Sequence, residues 1–74
     1  SLAQFACSQI TLQTFNEYVV ILQSVLSHRV LKTGPVMEVE MDLAVKENMI
    51  ANYQIRVLVQ VTNSQMKLLT NRRI

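Results

Sequence analysis

Chemistry in a short chain begins with its nucleophiles, its bases and its paired carboxylates, and this chain has few of them. Cys7 is the one cysteine and His28 the one histidine among 74 residues. A thiol becomes a nucleophile only with a base beside it, and nothing in the spacing of Cys7 and His28 brings them together. Cys7 therefore reads as a small buried hydrophobe, and His28 as a solvated residue near the end of an element. Glu38, Glu40 and Asp42 alternate with apolar residues. On a strand they share one face and resemble an acid pair for hydrolysis; on a helix they scatter. A solvated face explains them more simply. Two soft ligands cannot build a structural zinc site, a lone cysteine forms no internal disulfide, and no glycine-rich loop is present to hold a phosphate. The expectation is a chain without catalytic, cofactor or metal residues, taking no small-molecule substrate.

Composition points instead to partners. Half of the residues (50%) are hydrophobic and only 16% are charged. A chain this short has difficulty hiding so many apolar side chains by itself, so a homo-oligomer or another protein subunit is expected to cover the surplus. A net charge of +2, with bases dispersed and not interleaved with aromatics, argues against nucleic acid. No apolar run reaches the ~20 residues a membrane-spanning helix needs. No basic segment followed by an apolar one stands at the start, and opening on Ser1 suggests a processed or excised chain.

The elements that must position these residues are divided by one punctuation mark. The only glycine and the only proline adjoin at "KTGPV", the strongest break signal present, and leave two arms, 1–33 and 36–74, within a single small domain. In the first arm Thr14-Phe15-Asn16-Glu17 fits a capping box. Phe15, Tyr18, Val19, Leu22, Val25, Leu26 and Val30 then recur at helical spacing, with Val20 and Leu31 as exceptions. This predicts a helix over 15–32, closed by Gly34 and Pro35. Residues 1–13 read as a short helix or an extended lead-in.

The second arm supports two readings. A ladder at every fourth residue, Met37, Met41, Val45, Met49, Tyr53, Val57 and Val61, and acids preceding bases favour one helix. Apolar residues at alternate positions favour strands over 36–46 and 53–62 with "ENMIAN" between them, and Val57, Val59 and Val61 suit a strand. The missing Asn-Gly or Asp-Gly turn weighs against that hairpin, and "TNSQ" at 62–65 turns only weakly. The four methionines all fall in this arm, where filling a core is the simpler role.

At "LAVKENMIANYQIRVLVQVT", residues 43–62, the chain resembles the C-terminal helix of inner-rod subunits of bacterial type III secretion systems and of related needle and flagellar rod subunits. Leu43, Ala44, Met49, Ile50, Asn52, Tyr53, Ile55 and Val57 carry the likeness. The resemblance implies an all-α fold, a helical hairpin turning at 33–35, that polymerises in an exported secretion apparatus. The alternative is an α+β interaction or dimerisation module, an N-terminal helix on the hairpin 36–46/53–62. Residues Met41, Val45, Met49, Ile50, Tyr53, Val57 and Val61 are the expected assembly or partner contacts.

Overall fold

A computed structural model describes all 74 residues. Its elements are one helix, α1 (Leu2–Gln13), followed by four strands, β1 (Val20–Lys32), β2 (Met37–Glu47), β3 (Ala51–Val61) and β4 (Met66–Arg73). The strands form one antiparallel sheet in the order β1-β2-β3-β4, with α1 laid against one face. The fold is α+β, and the all-α helical hairpin is corrected at both arms.

The second arm is the hairpin that its period of two described. Odd-numbered residues of β2 face odd-numbered residues of β3, with Val39 opposite Val59, Met41 opposite Val57 and Leu43 opposite Ile55. These side chains form the buried core with Val45, with Val20 of β1, and with Ala3, Ala6 and Cys7 of α1. Small residues at those three helical positions let the backbone of α1 lie close to the sheet. Slipping the register by one residue would turn Leu43, Val57 and Val59 into solvent, which fixes the pairing. Three residues, 48–50, lie between the strands; Asn48 and Met49 are both at positive φ (50° and 61°), with the Ile50 amide donating to the Glu47 carbonyl at 3.0 Å. That is the geometry of a tight hairpin turn, built without glycine. A bulky residue held there costs about 1–2 kcal/mol.

The expected helix over 15–32 is replaced by a turn and a strand. Thr14 does not cap a following helix: it ends α1, its hydroxyl donating to the Thr11 carbonyl at 2.9 Å and accepting from the Tyr18 amide at 3.1 Å. Ser1 and Gln4 form the capping box that starts α1. From Val20 the β-branched and aliphatic run favours a strand, and the helical spacing has a specific origin. The pairing of β1 with β2 skips Gln23, Leu26 and Leu31, so each is an extra residue in the strand. The residues opposite the odd-numbered positions 39–47 of β2 are consequently Val20, Leu22, Val25, His28 and Val30. Their spacing of two and three imitates one face of a helix.

The turns at 33–36 and 62–65 close the two outer hairpins at the same end of the sheet. Gly34 sits at φ 103°, a region open to glycine but not to most side chains.

Candidate interaction surface

The groups that could do chemistry lie apart. Cys7 is buried under the sheet, where burial pushes its thiol above the ordinary value. His28 stands exposed on β1 opposite Met41. No group of three His, Cys, Asp or Glu side chains is arranged to hold a metal ion.

Glu38, Glu40 and Asp42 do share one strand face, the outer one, and each is met by a base. Arg29 donates to Glu40 at 2.8 Å, Lys32 lies 3.6 Å from Glu38, and Arg56 grips Asp42 with two hydrogen bonds of 2.7 and 2.9 Å. The Arg56 hydrogen bonds hold the Asp42 carboxyl below the usual carboxylate range, and Asp42 in turn raises Arg56. A carboxylate fixed in that way is a poor general base, since hydrogen bonds to the charged form lower its affinity for a proton. Ser27, His28 and Arg29 join Glu40, Asp42 and Arg56 around an open cavity of about 370 Å³ on this face. Beyond α1, Tyr53 donates to Glu47 at 2.8 Å while the Arg73 guanidinium stacks 3.7 Å from its ring centre. Burial and then the Glu47 carboxylate raise the Tyr53 hydroxyl above its ordinary value.

What remains uncommitted is apolar. The sheet has two edges, and they are defended differently. β4 carries Lys67, Arg72 and Arg73 along its length, and charge on an edge discourages pairing with other chains. β1 carries three bulges, another natural defence, but Val25, Leu26, Val30 and Leu31 stand exposed on it. The apolar residues continue past Gly34 to Val36, and Met66, the first residue of β4, is exposed at the same end. A long edge strand with apolar side chains, closed by a hairpin tip, can take an added strand or fill a partner's groove.

Of the seven expected contact residues, Met41, Val45 and Val57 lie in this chain's own core. Tyr53 and Val61 are partly buried against that core, while Met49 and Ile50 are exposed in the turn between β2 and β3. The surface residues missed were Leu26, Leu31 and Val36. One signal of them was visible: Leu31 breaks the helical stripe because it is an extra residue in a strand. Comparison with family models, with curated proteins and with solved structures finds no match to this chain.

Proposed function

We propose that this chain is a small protein-interaction module that docks another protein through β1 and the hairpin tip that follows it. The observation that carries the reading is the contrast between the two edges: the bases of β4 have no ion pair, whereas those of β1, Arg29 and Lys32, are held by Glu40 and Glu38 and stand among exposed Val25, Leu26, Val30 and Leu31. Backbone donors and acceptors along β1 would give affinity, and the side chains would select a partner with alternating apolar residues. The helical hairpin implied by the likeness to secretion rod subunits does not form, since residues 43–62 are divided between β2 and β3.

The test is selection of binders from a displayed library of random peptides, followed by titration against variants. Leu26→Lys and Val30→Lys should weaken the selected peptides by roughly tenfold or more each, the size of a good interface residue. Lys67→Glu on the far edge should leave them unchanged. Binding that follows Lys67 and ignores Leu26 and Val30 would exclude the reading.

A further inference from the structure

The other end of the sheet carries a second feature, independent of the β1 edge. The four most exposed large apolar side chains are Phe15 (94%), Ile50 (83%), Met49 (66%) and Leu12 (58%), and all belong to the end of α1 or to the two loops beside it. The four non-glycine residues at positive φ, Phe15, Asn16, Asn48 and Met49, lie in those same two loops. Asn48 joins the loops. Its side-chain carbonyl accepts from the Val19 amide at 2.8 Å, its own amide donates to the Val19 carbonyl at 2.9 Å, and its side-chain amide reaches the Glu17 carbonyl at 3.5 Å. Left-handed turns favour Gly, Asn and Asp. Phe15 and Met49 occupy such positions, held by the backbone hydrogen bonds of the two loops, yet their apolar side chains gain little burial within the chain. Backbone strain at an observed outlier is a pointer to function.

We infer that this end is a self-association face, on which two copies of the chain meet about a two-fold axis. The charges around the patch identify a second copy as the occupant. Glu17 is the one acid with no side-chain partner, because Glu38, Glu40 and Asp42 hold bases and Glu47 holds Tyr53. Lys46, two residues before Asn48, is one of four bases without an acidic partner, with Lys67, Arg72 and Arg73. A two-fold contact is self-complementary, so residue i of one copy meets residue j of the other and the reverse. Glu17 and Lys46 then satisfy each other twice at the rim while Phe15, Ile50, Met49 and Leu12 lose water at the centre.

Sedimentation equilibrium of the full chain from micromolar to millimolar concentration tests this. A monomer–dimer equilibrium is expected, weakened about tenfold or more by Phe15→Asn and by Ile50→Ser. Asparagine suits the positive φ at position 15, so that variant keeps its fold, which circular dichroism checks. Glu17→Lys should weaken the dimer, and Glu17→Lys with Lys46→Glu should restore it. Val25→Ser on β1 should leave association unchanged. A chain that stays monomeric at millimolar concentration overturns the inference, as does a dimer that ignores both Phe15→Asn and Ile50→Ser.

Discussion

Asp42 shows what a single residue does on the outer face. Hydrogen bonds from Arg56 hold its carboxyl below the ordinary aspartate value, so the folded state keeps it charged at a pH where the unfolded chain has taken up a proton. Stability from the pair is present above that value and is lost as pH falls through the lower folded value. Thermal melts of the native chain and Asp42→Asn should therefore differ most near neutral pH and converge below about pH 4, near the ordinary aspartate value. A gap that widens in acid would contradict the ion pair. Asn48 carries a different load. Asn48→Ala removes the side-chain bonds to Val19 and Glu17 and puts alanine at positive φ, so urea unfolding should show a loss of about 1–3 kcal/mol. The shared face of Glu38, Glu40 and Asp42 could be read from their alternation. The Asn48 clamp could not, because it joins residues 31 positions apart.

At the scale of elements, the alternation over 36–61 was legible as one of two readings of the second arm, while β4 and the first arm were not, for physical reasons. The alternation over 36–61 persists because β2 and β3 pair without a single bulge, each apolar residue meeting its opposite across eleven pairs. In β1 the extra residues Gln23, Leu26 and Leu31 stretch that period toward helical spacing. α1 hid for the opposite reason: its buried positions are Ala3, Ala6 and Cys7, small residues that make a faint apolar stripe. The turn at Asn48-Met49 falls within the "ENMIAN" segment read between the strands, but its type gave no sign of itself because methionine stands where glycine is expected. α1 covers the inner face of a sheet whose other face is polar, so the sheet cannot stand without it. Removing residues 1–13 exposes Leu43, Val45, Val57 and Val59, all 1% exposed or less, and leaves the four-stranded sheet with its apolar face in water. The truncated chain should lose the dispersed amide spectrum of the full one. A native-like spectrum from it would show that α1 is not needed for the core.

At the scale of the molecule, the total surface is 4824 Å², close to the roughly 4,650 Å² that the size scaling gives for this mass. The area is ordinary; its character is not. Eleven residues are buried, all apolar, while fifteen large apolar side chains remain exposed. The excess of hydrophobic residues read from composition is therefore real, and of the seven expected contact residues Met49 and Ile50 are among the exposed ones. Of the Met41–Val45–Met49–Val57 line, all but Met49 serve the chain's own core, and β1 with its tip presents further apolar surface. The account rests on that edge. The most direct test is amide hydrogen exchange of the full chain, alone and with a peptide selected for binding. Slowed exchange across residues 20–32, with the strand 66–73 unchanged, is the predicted result. Protection confined to 66–73 or to the outer face of 51–61 would contradict it.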